Sequence, residues 1–507
     1  MGMLAHIFQV PSPEPAAPVT VGNVVLMAEA AVAPPSVFLR AWSQIARTVR
    51  EIGPRRRSYE VDLGGKISKS DEERLIAAFQ ECVEHRGGEV QARARAAALG
   101  EAYLELDDAG RRRFVELLAD GFDVDRAAVD AAIAEVQAAE DLDARVRAEG
   151  KLRQALVAPR VEVLTQFNAL PEGVKFLVDL RSELLEWQRS EPKLAGLQDD
   201  LRRLLARWFD VGFLELRQID WNEKASLLEK LIRYEAVHRI RSWDDLKNRL
   251  DSDRRCYAFF HPRMPDEPLI FVEVALVNGM SGDVGELLDE ERPADDPLQA
   301  DTAIFYSISN AQAGLAGISF GDFLIKRVVG ALSAELPNLK TFATLSPIPG
   351  LMRWATRSPD EAAETELSEE ERAAIVAAAT EAIAAAEDAG EDISAPAEDD
   401  DDWAVLSTAL AIPDWHEHEA LVEALEGPLR RLAVDYLYNR KGRGGRALDP
   451  VAHFHLTNGA RMERLNWMAD RSANGMRQSA GMMINYLYRL SDIDGNHEAY
   501  SAPDRKI

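Results

Sequence analysis

The sequence predicts an α+β protein, an all-helical N-terminal domain followed by a mixed α/β domain. Three observations carry that expectation. From about Ser70 to Trp208 the composition is dominated by Ala, Leu, Glu and Arg. Spacings such as Phe114, Leu117, Leu118 and Phe122 there give a helix one apolar face. Beyond about Val211 the texture changes, and runs such as Cys256–Phe260 and Leu269–Val277 bring β-branched and aromatic residues between helices. Finally, Ala303–Leu345 reads as strand, glycine-bearing loop, helix and strand, the pattern of a parallel crossover.

Taken in chain order, residues 1–65 are rich in Pro, Ala and Val and read as irregular, with one helix near Val37–Glu51. Residues 66–210 form the helical domain, divided into several helices by breaks at Gly87-Gly88, Pro159 and Pro171. Residues 211–507 form the mixed domain. Its first two strands should be an antiparallel pair joined by a turn over Pro262–Pro268. The strand Ala303–Ser309 leads into Gly314, Gly317 and Gly321, then into a helix with Leu324, Ile325, Val328, Val329 and Leu332 on one face. The carboxyl ends of such a parallel pair lie beside the helix N-terminus, where ligands bind in units of this kind. Residues 360–402 hold seventeen acidic side chains against Arg372 alone and read as a solvated insertion, partly helical and partly disordered.

The charge bounds the partners. The formal net charge is −27, which argues against nucleic acid, because neutralising phosphates needs a basic surface. The acidic insertion supplies −16 of that total, so the remaining body is mildly acidic and can still take a polyanionic ligand. Cys82 and Cys256 are the only cysteines, too few for a disulfide framework or a thiolate zinc site. No run of about eighteen apolar residues suggests a membrane span. Neither a secretory signal nor an Arg-rich presequence is visible, and the expected location is the cytoplasm.

Two strings stand out for their chemistry. Thr341–Gly350, TFATLSPIPG, carries Ser346 at the end of a strand-like run, and Val451–Leu456, VAHFHL, carries His455 in another. Two groups able to handle a proton could meet at adjacent strand ends. His453 and His455, two apart on a strand, would face one side and could suit a metal, but no third ligand has convincing spacing. His416 and His418, in the acidic HEHE stretch, read as surface residues. The loop Ala311–Asp322 offers glycines and a helix start, which together suit a pyrophosphate. Within it, Gly317-Ile318-Ser319-Phe320-Gly321 matches the nucleophile-elbow pattern. Ser319 lies ten residues beyond Ser309, too far from the strand end for that motif, so it reads as a loop or capping serine. Arg440, Lys441, Arg443 and Arg446 form a basic cluster suited to a phosphorylated ligand or to a subunit contact.

The strings IFYSIS, FLIKRVV, LSPIPG, DPVAHFHLTNGA and NWMAD resemble the malonyl-CoA decarboxylase family from about Gly212 through Tyr488, and more weakly over the helical domain. The resemblance implies a helical oligomerisation domain followed by a catalytic domain of the acetyltransferase (GNAT) fold. It implies no cofactor, metal or prosthetic group, malonyl-CoA and acetyl-CoA as ligands, and self-association as a homodimer or homotetramer. It places the catalytic pair on Ser346 and His455, and the acyl-CoA pyrophosphate loop on Ala316, Gly317, Ile318, Ser319, Phe320, Gly321 and Asp322. A family tyrosine falls on Tyr488, while Ser319 stands where some members carry a glutamate. The expected reaction is loss of CO2 from the malonyl thioester with protonation of C2. Two rivals are a CoA-dependent acyltransferase on the same fold and a non-catalytic acyl-CoA-binding regulator.

Overall fold

The computed structural model describes residues 66–318, 324–356, 366–387, 395–397 and 400–502. The irregular segment 1–65 and its expected helix lie outside the described residues, as do Ser319, Phe320, Gly321 and Asp322 of the glycine-bearing loop.

The N-terminal region is helical as expected: α1 (Lys69–Val83), α2 (Glu89–Glu105), α3 (Asp108–Gly121), α4 (Arg126–Ala138), α5 (Leu142–Ala155), α6 (Arg160–Asn168), α7 (Gly173–Trp187) and α8 (Ala195–Trp208). Short polar side chains start these helices by accepting from otherwise unpaired N–H groups: Ser68 for α1, Asp107 for α3, Asp125 for α4 and Asp141 for α5. Their apolar faces meet around aromatic rings. Phe79 lies edge-on to Phe114 at 5.0 Å and to Phe122 at 5.5 Å, and Tyr103 sits 5.1 Å from Phe114.

The second region is a mixed sheet of eight strands: β1 (Glu215–Ile219), β2 (Arg254–His261), β3 (Met264–Val277), β4 (Thr302–Asn310), β5 (Thr341–Thr344), β6 (Ser346–Pro347), β7 (Arg461–Asn466) and β8 (Met483–Tyr488). The order is β1-β2-β3-β4-β5-β8-β6, with β7 on β8, and among the described strands the one parallel pair is β4 with β5. The crossover between those two contains α12 (Leu324–Glu335), whose buried face is Leu324, Ile325, Val328, Val329 and Leu332 as the spacing predicts. Before it come α9 (Ala225–Tyr234), α10 (Trp243–Arg249) and α11 (Val284–Leu287). The β2–β3 connection is tighter than expected: His261 already pairs with Met264, and Pro265 and Pro268 lie within β3 where the register shifts. Prolines are tolerated at such a bulge because no ladder donor is needed there.

The helical region and the sheet share one buried cluster that runs from Leu75 and Phe114 to Phe305, Val328 and Tyr488. The seam is specific. Arg181 of α7 is 1 % exposed and donates to the carbonyls of Gly314 and Ala316, at 2.5 and 2.8 Å. Gly314 must be glycine, since a Cβ there would lie 1.7 Å from the Val178 carbonyl oxygen.

Two expectations are corrected. The stretch Val451–Leu456 is not a strand. After α13 (Leu351–Ala355), α14 (Glu369–Glu387), α15 (Asp402–Ala411) and α16 (Glu419–Val434), it forms α17 (Pro450–Thr457), followed by α18 (Ala473–Ser479) and α19 (Ile493–Ser501). Asp449 caps α17 and Pro450 opens it, a start signal that outweighs the alternating look of a short apolar run. The acidic insertion is also no mere solvated segment over its described part. In α14, Ile375, Ala378, Ala379, Ala382 and Ile383 recur at helical spacing and are buried with Val405 and Leu406 of α15 and Leu425 and Leu429 of α16. Arg431 pairs with Glu371 at 2.7 Å, and Arg372 with Asp402. Acidic side chains crowd the first turn at Glu369, Glu370 and Glu371, and the exposed face beyond them is mostly alanine. Replacing Ile375 by Ala is therefore expected to lower the stability of the folded protein by roughly 2–4 kcal/mol through lost contacts and a cavity. The shift of the urea midpoint measures it, and an unchanged midpoint would return α14 to the solvent.

Candidate active site

Ser346 follows directly on the parallel strand pair. Leu345 N–H donates to the Phe305 carbonyl at 3.0 Å, and Ser346 itself pairs with Ile484 of β8, so its backbone is held from both sides. Its Oγ donates to Thr344 Oγ1 at 2.8 Å, and Thr344 Oγ1 also accepts from Tyr486 N–H at 3.2 Å. Asn485 fixes the same corner from beneath, donating to the carbonyls of Thr344 at 2.8 Å and Ser281 at 3.0 Å.

His455 reaches this corner from α17. Its Nε2 lies 3.0 Å from Ser346 Oγ and its Nδ1 lies 2.8 Å from the Tyr488 hydroxyl. The imidazole also stacks on Tyr486, 4.5 Å between ring centres at 25°. Tyr486 and Tyr488 are two apart on β8 and so face one side, which lets one strand supply the stacking ring and the hydrogen-bonding ring together. The structure thus brings Ser346, His455 and Tyr488 into one constellation. His453 is not part of it. On a helix, residues two apart diverge, and His453 Nδ1 instead meets Tyr500 Oη at 2.8 Å, so the two histidines cannot share a metal.

The protonation pattern follows from burial. His455 is 2 % exposed, and desolvation pushes its pKa down to about 3, so the ring is neutral at physiological pH. Burial pushes the Tyr488 phenol well above its ordinary value, so it keeps its proton. Because Ser346 gives its proton to Thr344, it must accept from His455. The chain then runs in one direction: Tyr488 Oη–H donates to Nδ1, Nε2–H donates to Ser346 Oγ, and Ser346 Oγ–H donates to Thr344 Oγ1. A neutral imidazole with its N–H aimed at a polar corner can polarise an oxygen without carrying a charge.

The other predicted positions are less converged. Ala316 carries one of the carbonyls that Arg181 holds, Gly317 and Ile318 follow it, and Gly317 has φ +71°, the left-handed region that suits glycine. Arg440 of the basic cluster is engaged locally, donating to Asp435 at 2.8 Å and lying over the Trp354 ring. Lys441 donates to the Tyr438 carbonyl, and Arg446 is exposed. Four residues of the site region escaped the sequence reading. Thr344 and Tyr486 sit two residues from Ser346 and Tyr488, a same-face spacing visible in the chain. Asp449 carries the Asp-Pro helix-start signal. Arg181 gave no local signal, since its partners are backbone carbonyls more than a hundred residues away.

Comparison with known proteins adds an independent line. The family described as "Malonyl-CoA decarboxylase C-terminal domain" matches residues 212–505, and "Malonyl-CoA decarboxylase N-terminal domain" matches residues 122–209. The chain is 38% identical over 410 residues to the mitochondrial malonyl-CoA decarboxylase of Anser anser anser, covering 78% of this chain and 77% of that one. Against the mitochondrial malonyl-CoA decarboxylase of Rattus norvegicus it is 37% identical over 406 residues, covering 77% and 79%. The crystal structure of malonyl-CoA decarboxylase from Rhodopseudomonas palustris superposes with a TM-score of 0.73 at 42% identity, over 85% of this chain and 96% of that one. The Agrobacterium vitis structure gives 0.72 at 39% identity, with the same coverage.

The depressed His455 pKa has a sign. A histidine whose folded value lies below its ordinary 6.5 contributes stability that is fully present above that value and is lost as pH falls toward about 3. Asp449, pushed up to about 6 by its own burial, acts in the opposite sense but is common to both proteins in a comparison of His455→Gln with the parent. Between pH 7 and pH 4 the parent is therefore expected to lose more stability than His455→Gln in stepwise denaturant titrations. Equal losses would mean that the ring is not held neutral.

Proposed function

The chain belongs to the malonyl-CoA decarboxylase family, and we propose that it converts malonyl-CoA to acetyl-CoA and CO2 with Ser346 and His455 as its catalytic pair and Tyr488 in support. The observation that carries the assignment of residues is the buried hydrogen bond between Ser346 Oγ and His455 Nε2.

Loss of CO2 from a malonyl thioester breaks the bond between C2 and the carboxylate carbon. The electron pair moves into the thioester, which is already the electron sink, and leaves an enolate. The protein has to hold the carboxylate out of the thioester plane, stabilise the growing oxyanion and let C2 take up a proton. In this reading the Ser346 hydroxyl turns from Thr344 to hydrogen-bond the departing carboxylate. His455 turns its Nε2–H from Ser346 to the thioester oxygen, or delivers that proton to C2 while Nδ1 takes up the Tyr488 hydroxyl proton, which solvent then restores. Tyr488, donating to Nδ1, keeps the ring in the tautomer that carries the proton on Nε2. Ala316, Gly317, Ile318, Ser319, Phe320, Gly321 and Asp322 belong to the same reading as the stretch that receives the CoA pyrophosphate. Support comes from the left-handed Gly317 and from the start of α12 nearby. A cytoplasmic location and self-association as a homodimer or homotetramer complete it.

The decisive experiment is incubation with malonyl-CoA and no acceptor, following CO2 and acetyl-CoA together. Stoichiometric release supports the decarboxylase. Turnover only when an amine is added would support an acyltransferase, and tight binding without turnover a regulator. Ser346→Ala and His455→Ala are each expected to lower kcat by roughly two to four orders of magnitude, the scale of a lost oxyanion donor or proton donor, with the circular dichroism unchanged. Near-normal turnover in either variant would remove that residue from the pair.

A further inference from the structure

Asp449 is buried at 0 % exposure and is placed between the two strings that hold the proposed catalytic pair. One carboxylate oxygen accepts from the N–H groups of Val451 and Ala452, at 2.9 and 3.0 Å, in the first turn of α17. The other accepts from the Tyr436 hydroxyl at 3.3 Å, and the Gly350 amide lies against the same carboxylate and favours its ionised form. Gly350 lies four residues beyond Ser346, and Ala452 three residues before His455. Three chain segments therefore converge on a single carboxylate: the turn after α16 that carries Tyr436, the loop leaving Ser346, and the helix carrying His455.

The packing around it leaves little slack. A Cβ on Gly350 would lie 1.9 Å from the Tyr436 hydroxyl and 3.5 Å from Asp449 Oδ2, so the loop is pressed against both partners. Tyr436 in turn lies against Trp354, 5.2 Å between ring centres at 34°, and Trp354 is in α13 on the far side of the same loop. Desolvation opposes the ionised form of Asp449, and the two α17 amides, the Gly350 amide and the Tyr436 hydroxyl offset part of that cost. Losing the carboxylate would leave those donors buried and free the loop and the helix to move independently.

We propose that Asp449 is a positioning residue whose carboxylate clamps the loop after Ser346 to the first turn of α17 and so sets the spacing between Ser346 and His455. This inference rests on the assignment of those two residues as the catalytic pair. Asp449 touches neither of them directly, and its influence passes through the backbone of residues 347–350 and of residues 450–454.

The test is steady-state kinetics on the full chain with malonyl-CoA, using Asp449→Ala and Asp449→Asn alone and in the Ser346→Ala background. Asp449→Ala is expected to lower kcat by roughly a hundredfold, the scale of a misplacement near 1 Å, with the Michaelis constant changed less than about threefold. Asp449→Asn keeps an acceptor for the two α17 amides and should recover to within roughly tenfold of the parent. In the Ser346→Ala background, Asp449→Ala should cost less than about threefold more, because the alignment it maintains has already lost one member. An intact kcat overturns the proposal, as does a loss confined to the Michaelis constant or one that multiplies fully in the Ser346→Ala background. If Ser346→Ala alone keeps its turnover, the pair itself is wrongly assigned, which is a different failure from that of the clamp. Should Asp449→Ala yield no soluble protein, Gly350→Ala probes the same junction from the other side by forcing the Tyr436 hydroxyl away. Its kcat should then fall at constant Michaelis constant, and an unchanged kcat would overturn the proposal.

Discussion

The hydrogen bond between Ser346 and His455 joins residues 109 apart in the chain, and the organisation of the sheet domain can be understood from the demands of holding it. Neither side chain makes a strong contact by itself, since a neutral hydrogen bond contributes only about 1 kcal/mol net. Its value lies in geometry. Ser346 is fixed because β5 runs parallel to β4 and hands the chain to β6, which pairs with β8. His455 is fixed because α17 starts at a buried carboxylate and because the ring lies flat on Tyr486 of the same β8. One strand thus serves as the reference for both halves of the pair. A change in β8 would disturb serine, histidine and tyrosine together.

Burial is what gives this arrangement its chemical character. In water an imidazole would be partly protonated near neutrality, and its charge would compete for any carboxylate nearby. Enclosed against Tyr486, Tyr488 and Phe454, the ring is held neutral, with its proton placed by the donor on the opposite nitrogen. For a substrate that arrives with a carboxylate and must lose it as CO2, a cation in contact would stabilise the ground state more than the charge-dispersed transition state. A neutral donor avoids that. In the proposed reaction it would strengthen its hydrogen bond as the thioester oxygen becomes an oxyanion, and so act selectively on the step that breaks the bond to the carboxylate.

Much of the framework was legible in the chain because it follows from short-range rules. The parallel crossover announced itself through β4, the glycines and the one-sided helix α12, and the buried residues of α12 are those the spacing named. Ser346 and His455 were legible as unusual polar residues in apolar strings. What the chain concealed was the element holding His455. VAHFHL has no more than six residues before the pattern ends, too short for alternation and helical period to be told apart, and the deciding information was the Asp-Pro pair just ahead of it. The face of α14 was concealed differently. Its apolar residues are mostly alanines, small enough that seventeen acidic neighbours dominate the composition, yet Ile375, Ala379 and Ile383 recur at the interval that buries them. Arg181 lies at the other limit, since a side chain that binds only backbone carbonyls across a domain seam leaves no pattern of residue types.

That seam changes what the helical region contributes. Resemblance assigned it to oligomerisation, but α7 also reaches into the sheet domain at the start of the loop that precedes α12. Arg181 is buried there and holds two carbonyls of the loop backbone, those of Gly314 and Ala316. Carbonyls tied down by a guanidinium cannot rotate freely, so the following amides have their directions restricted as well. Gly314 pressed on Val178 leaves the loop no room to retreat toward α7. The position of residues 316–318 is therefore a property of both regions at once. A helical region that merely joined subunits would have no physical reason to place its most deeply buried arginine at that point.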